Sequence, residues 1–254
     1  MGVAMQIKIF LFINLIFFAS CNKPRDKTIV KVPAHIKSFS FQSEAKFFYQ
    51  DVEFGPEGAF FNNNTNPSFV KINGFKKNIG NEFNVSFWFR SNGDPKNSKM
   101  LISVSDTINK LKRFKFWLSG RRLTGIFNSN HLWAKGYDYK NEKSKAYYDS
   151  YKLDNGKFYF LSLNVSMNKI DIFINSERYQ VFNFIKNNEI NAHEFLIGVE
   201  NNQNGYINQY FGTISFLKIF PRNLTVNEIY SANKEKLNYF KVINDAHELK
   251  KFKP

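Results

Sequence analysis

The feature that most constrains this chain is an apolar alternation of period two that recurs from about residue 35 to residue 220. "EFNVSFWFRS" places Phe83, Val85, Phe87 and Phe89 on one side and Asn84, Ser86, Trp88 and Arg90 on the other. That is the pleat of a strand with one face in a core. "KMLISVSD" and "RFKFWLSG" alternate in the same way, the latter through Phe114, Phe116 and Leu118. "FYFLSLNVSMNKIDIFINS" predicts a hairpin turning near Met167 and Asn168, with Ile170, Ile172 and Ile174 inward. Clusters of Asn, Gly, Asp and Ser separate these runs, a pattern of antiparallel sandwiches or barrels rather than of βαβ units. Thirty phenylalanines in 254 residues supply the core.

The last strong strand shows how such a fold closes. "GTISFLKIF" stops at Pro221, which has no N–H to continue a ladder. Leu224 then packs back, and "TVNE" reads as a capping box, with Thr225 capping free N–H groups while Glu228 returns to the cap residue. The expectation is a helix of one to two turns, held on the sandwich by Ile229. The basic tail beyond it, residues 236–254, reads either as an amphipathic helix through Leu237, Phe240, Ala246 and Leu249 or as a further strand at 239–243.

These residues carry a resemblance. "YFGTISFLKIFPRNLTVNEI" resembles the final strand and turn of the LamG-like group of the concanavalin A-like lectin/glucanase superfamily. "GAFFNNNTNPSFVKI", "FNVSFWFRS" and "GKFYFLSLNVSMNKIDIFINSERY" resemble three earlier blocks of that group, in the group's own order. Together they span roughly residues 39–233. Phe158 and Tyr159 stand where the group often has Trp and His, and Ser215 replaces a common Asp. The resemblance implies an all-β, concanavalin A-like jelly-roll β-sandwich of two antiparallel sheets with a short C-terminal helix. It also implies carbohydrate binding, and calcium held at the sandwich rim through acid and backbone oxygens. Asp94, Asp106 and Asp138 are candidate acids, but none sits in a self-sufficient ligand run, and no metal is assigned.

The N-terminus sets the address. "MGVAMQIKIFLFINLIFFAS" has an uncharged run from Ile9 to Ser20, too short to span a bilayer as a helix and suited to the h-region of an export signal. "FASC" resembles the lipobox of bacterial, Bacteroidetes-like lipoproteins, with Cys21 as the lipidated residue. Cys21 is the sole cysteine, so it has no intramolecular disulfide partner, and diacylation would give it a use. Residues 1–20 are then a signal peptide, 21–34 a lipidated tether with Pro24 and Pro33, and 35–235 the sandwich. Asn22 leans towards the outer membrane under the sorting rule of such lipoproteins.

The net charge of +15 accompanies no nucleic-acid motif, and its lysines and arginines are spread over several segments as solvated faces. The Glu-x-Asp-x-x-Glu run of retaining glucanases is absent, and Asp171 has Lys169 and Phe173 as its period-two neighbours. His35, His131, His193 and His247 lack metal-ligand spacing. The chain therefore reads as a binding protein, not an enzyme. Residues 128–152 mix Trp133, Tyr137, Tyr139 and Tyr148 with amides, acids and lysines, chemistry that suits the apolar faces and hydroxyls of sugars. An edge hairpin whose aromatics shield the core accounts for the same residues equally well. "VENNQNGYINQ" offers a second rim, with Asn202 and Asn204 as candidates. The function expected is non-catalytic binding of carbohydrate or glycoconjugate by a lipid-anchored protein of the cell envelope. The alternative is a structural or protein-interaction module with an envelope partner, and a glucanase-type hydrolase is a distant third.

Overall fold

The computed structural model describes residues 40–41, 46–62, 66–73, 82–92, 99–105, 113–127, 130–133, 137–138, 143–144, 150–184, 194–202 and 205–251. Among them nineteen strands precede one helix. The first half holds β1 (Ser40–Phe41), β2 (Lys46–Gln50), β3 (Val52–Gly55), β4 (Gly58–Phe61), β5 (Phe69–Asn73), β6 (Phe83–Ser91), β7 (Lys99–Ser105), β8 (Arg113–Ser119) and β9 (Arg122–Phe127). Next come β10 (Asn130–Leu132), β11 (Tyr137–Asp138), β12 (Lys143–Ser144), β13 (Tyr159–Ser166), β14 (Lys169–Ile174) and β15 (Glu177–Asn183). The chain then forms β16 (Glu194–Ile197), β17 (Glu200–Asn202), β18 (Gly205–Ile207), β19 (Gly212–Phe220) and α1 (Val226–Lys251).

One sheet runs β15-β14-β13-β6-β19-β4-β3, with β1 joined to β19 as its eighth strand; the other runs β10-β9-β8-β7-β16-β5-β2. Every pairing is antiparallel except the short β1–β19 contact. Both inner faces supply one core. Phe83, Val85, Phe87 and Phe89 of β6 meet Phe114, Phe116 and Leu118 of β8 in it, as the alternation predicts. The β13–β14 hairpin turns at Met167 and Asn168 and sends Ile170, Ile172 and Ile174 inward, also as predicted.

The other face of the eight-stranded sheet is buried as well. Trp88, Phe158, Phe160 and Phe173 form a second apolar cluster with Leu224 and with Ile229 and Phe240 of α1. Phe240 stacks on Trp88 at 4.6 Å and lies 4.3 Å from Phe158. Beside this cluster runs a buried polar ladder. Asn84 donates to Asn164 at 2.8 Å, Ser86 donates to Asn84 at 2.6 Å, and the Asn164 amide closes both the N–H and the C=O of Leu224. With their partners in reach, these polar groups can be buried without the penalty of unmade hydrogen bonds.

A bulge in β19 reconciles the two cores. The register shifts between Ser215 and Lys218, and Phe216 has φ 50°. Ile214, Leu217 and Ile219 therefore face the sandwich core while Phe216 and Phe220 pack towards α1. After Pro221 the capping box forms as expected. Thr225 N–H donates to the Glu228 carboxylate at 2.8 Å, and Glu228 N–H donates to Thr225 Oγ1 at 3.3 Å. The helix is much longer than the box alone predicts. It runs 26 residues, through the segment read as a separate tail, and it excludes the strand at 239–243.

Candidate functional site

Four of the sequence candidates fall where their local chain can be followed. Trp133 follows β10 with φ 64° and is 8% exposed. Its indole lies 5.9 Å from Phe116, 5.2 Å from Phe182 in an edge-to-face contact and 6.4 Å from Tyr179. Trp133 is thus a core residue that closes the end of the sandwich, and it offers no free ring face for a sugar. Burial in the core wins because β10, paired with the edge of β9, delivers the ring between the two sheets. Tyr137 and Asp138 lie in β11 and Asn202 in β17; their side chains lie outside the described residues, as do Tyr139, Tyr148, Asn204, Cys21, Asp94 and Asp106 in full.

What the structure brings to the lateral edge instead is a tyrosine cluster. Residues 150–153 run along β9: Leu123 N–H donates to Tyr151 O at 3.1 Å, Leu153 N–H to Arg121 O at 2.8 Å, and Arg122 Nη1 to Ser150 O at 2.7 Å. This holds half-buried Tyr151 edge-on to Tyr179 at 5.2 Å and to Tyr159 at 6.1 Å. Tyr179 reaches it through a second bulge. Ile172 pairs with Gln180 and Phe173 with Arg178, so Tyr179 is the extra residue of β15. Asp154 N–H donates to the Tyr159 hydroxyl at 2.9 Å. Burial pushes the Tyr151 phenol above its usual range, and the carboxylates of Glu177 and Asp154 push it further. The edge therefore presents half-buried tyrosines flanked by two exposed carboxylates. Its sequence signal was present in the tyrosines at 151 and 179, but their meeting depends on a bulge that alternation does not reveal.

The Asn-rich rim is a two-stranded hairpin, β17–β18, fastened to the seven-stranded sheet. Asn201 donates to Glu194 at 3.0 Å, and Glu194 also pairs with Lys71 at 2.8 Å. Asn208 donates to Glu200 at 3.1 Å, and Glu200 pairs with Lys115. Tyr206 rests on Phe69, ring centres 4.5 Å apart. Partly exposed Lys71 and buried Lys115 each meet a carboxylate here. On the opposite sheet Asp171 pairs with Lys169 at 2.9 Å. Among the described residues no group of three or more His, Cys, Asp or Glu side chains is placed to hold a metal ion.

A model of the laminin G type, described as the concanavalin A-like lectin/glucanases superfamily, matches residues 64–230. No curated protein matches the chain. Among solved structures, the botulinum neurotoxin serotype G binding domain superposes with TM-score 0.54 at 18% identity, over 76% of this chain and 46% of that one. Botulinum neurotoxin type C, whose passage into cells depends upon interaction with two ganglioside molecules, gives 0.51 at 14% identity over 76% and 46%. A Trypanosoma rangeli sialidase mutant displaying trans-sialidase activity gives 0.53 at 13% identity over 73% and 29%. The chain thus spans less than half the length of each of these chains, and likeness at such identities concerns the fold.

Proposed function

We propose that this chain, which belongs to the concanavalin A-like lectin/glucanases superfamily, is a non-catalytic, lipid-anchored cell-envelope protein that binds carbohydrate or glycoconjugate. The observation that carries the reading is the lateral edge, where Tyr151 and Tyr179 stand half-buried between Asp154 and Glu177. Pyranose rings stack their C–H faces on aromatic rings while their hydroxyls donate to carboxylates, and this edge supplies both partners. The botulinum neurotoxin binding domains among the structural neighbours support the same class of function. The absence of a paired-carboxylate run in the sequence supports a role without hydrolysis. The lipobox-like "FASC" supports anchoring through Cys21, with the outer membrane as the address.

The test is a glycan array probed with the mature chain and with Tyr151→Ala. Wild-type binding to a defined glycan, lost in the variant while the circular dichroism spectrum is kept, is the expected result. An array without a single bound glycan would overturn the carbohydrate reading. Binding that survives Tyr151→Ala would remove the site from this edge. A second reading, a protein-interaction module, is favoured by Val226, Tyr230 and Val242, large apolar side chains exposed on α1. A stoichiometric partner co-purifying from membranes, lost on Tyr230→Ser, is its test.

A further inference from the structure

A groove of about 280 Å³ runs between α1 and the start of β13. It lies on the face of the eight-stranded sheet away from the sandwich core, and the Lys157–Asp154 ion pair joins its rim to the tyrosine edge. Trp88 and Phe158 form its floor, and Leu237 lines it from α1. Lys157, Lys241 and Asn175 stand around it. Its polar groups are mostly donors. The Trp88 indole N–H is buried and has no hydrogen-bond partner among the described residues. Asn175 spends its carbonyl oxygen on the Phe160 N–H at 3.1 Å, which leaves its NH₂. Lys157 shares its ammonium with Asp154 at 3.2 Å. Asn244 is already consumed, accepting from Phe158 N–H at 2.7 Å and donating to Phe158 O at 3.1 Å, so it pins α1 to the groove wall. Asp245 also lines the groove and is the one acid that does so among the described residues.

We infer that this groove is a binding site for an acidic monosaccharide unit, a single sugar ring carrying a carboxylate. A buried donor without a partner costs free energy that an acceptor on a ligand would recover. The Lys241 ammonium, with the indole and amide donors beside it, favours a carboxylate over a neutral hydroxyl. The aromatic and leucine walls offer the apolar contact that a sugar ring's C–H face takes. The volume falls just below the roughly 300–1,000 Å³ of drug-sized pockets, which fits one ring and not an oligosaccharide.

The experiment is a titration of the mature, ¹⁵N-labelled chain with D-glucuronate, with D-glucose and acetate as parallel probes. The indole N–H resonances of the tryptophans are the readout. Glucuronate is expected to shift the Trp88 resonance saturably, while glucose and acetate leave it in place at the same concentrations. Lys241→Ala, a change at an exposed position, is expected to weaken glucuronate about tenfold. Trp88→Phe is expected to remove the shifting resonance and weaken binding, while Lys234→Ala, an exposed lysine of α1 outside the groove lining, changes nothing. An unmoved Trp88 resonance, an equal response to glucose or acetate, or an unchanged affinity in Lys241→Ala would each overturn the assignment. Because the readout is the Trp88 indole, these outcomes are separate from success or failure at Tyr151.

Discussion

Replacing Phe240 with alanine removes the ring that joins α1 to the eight-stranded sheet. The side chain is 0% exposed and contacts Trp88, Phe158 and Phe216. A phenylalanine buries about 150–250 Å². At about 25 cal/mol per Å² that corresponds to roughly 4–6 kcal/mol, an upper bound because the unfolded chain hides part of the same surface. Truncations of buried phenylalanine cost about 3–5 kcal/mol, and the expected loss lies in that range. Urea unfolding of the mature chain, followed by tryptophan fluorescence and far-ultraviolet circular dichroism, reads it. Val242→Ala, at a position 68% exposed on the same helix, should stay within about 0.5 kcal/mol of wild type. A loss under about 1 kcal/mol in Phe240→Ala would show that α1 is not held by this contact and would refute the second core.

Glu228 extends the reasoning to pH. Hydrogen bonds from Arg222 first, then from the Thr225 N–H and hydroxyl, hold its carboxyl at about 2 against an ordinary 4.5. A lowered folded pKa gives stabilisation that is complete above 4.5 and lost as pH falls towards 2. Wild type should therefore lose melting temperature across that window more steeply than Glu228→Gln, in thermal scans at matched ionic strength; parallel curves would refute the link. Asn164→Ala strands Leu224 N–H and C=O and should cost about 2 kcal/mol or more by urea unfolding, whereas a neutral result would mean that water replaces the amide. Trp133→Ala should destabilise by about 3–5 kcal/mol, so a stable variant would place the indole outside the core.

Much of the sandwich is legible because strands with one buried face must alternate. The inward rows of β6, β8 and β14 and the turn at Met167–Asn168 all follow from that rule. The capping box at Thr225 and Glu228 is equally local. The fate of the other face is not local. Asn84, Ser86 and Ser162 alternate with apolar residues, which reads as solvent, yet they are buried because they hydrogen-bond to one another and α1 covers the sheet. Helix length was hidden for a related reason. The buried stripe of α1 includes Asn233 beside Ile229 and Phe240, and such a stripe lacks a clean apolar period. Trp133 shows the limit for sites. An aromatic in a polar loop has the same composition signal whether it faces a ligand or a core, and only the pairing of β10 with β9 decides.

The way the two sheets are covered narrows where a ligand can meet this fold. Helix α1 and the turn at Leu224 lie against the outer face of the eight-stranded sheet, so polar groups such as Asn84 and Ser162 are unavailable despite their chemistry. The outer face of the seven-stranded sheet carries the β17–β18 hairpin, held by Lys71–Glu194–Asn201 and Lys115–Glu200–Asn208. Those carboxylates and ammonium groups are engaged with one another, and a sugar hydroxyl would have to displace a charge-assisted bond to reach them. The tyrosine edge and the groove beside α1 differ in this respect. At the first, the Glu177 carboxylate is exposed next to aromatic rings; at the second, the Trp88 N–H has no partner among the described residues. On the proposed reading, recognition on this scaffold falls to its margins, where the packing of the two cores leaves hydrogen-bonding capacity unspent.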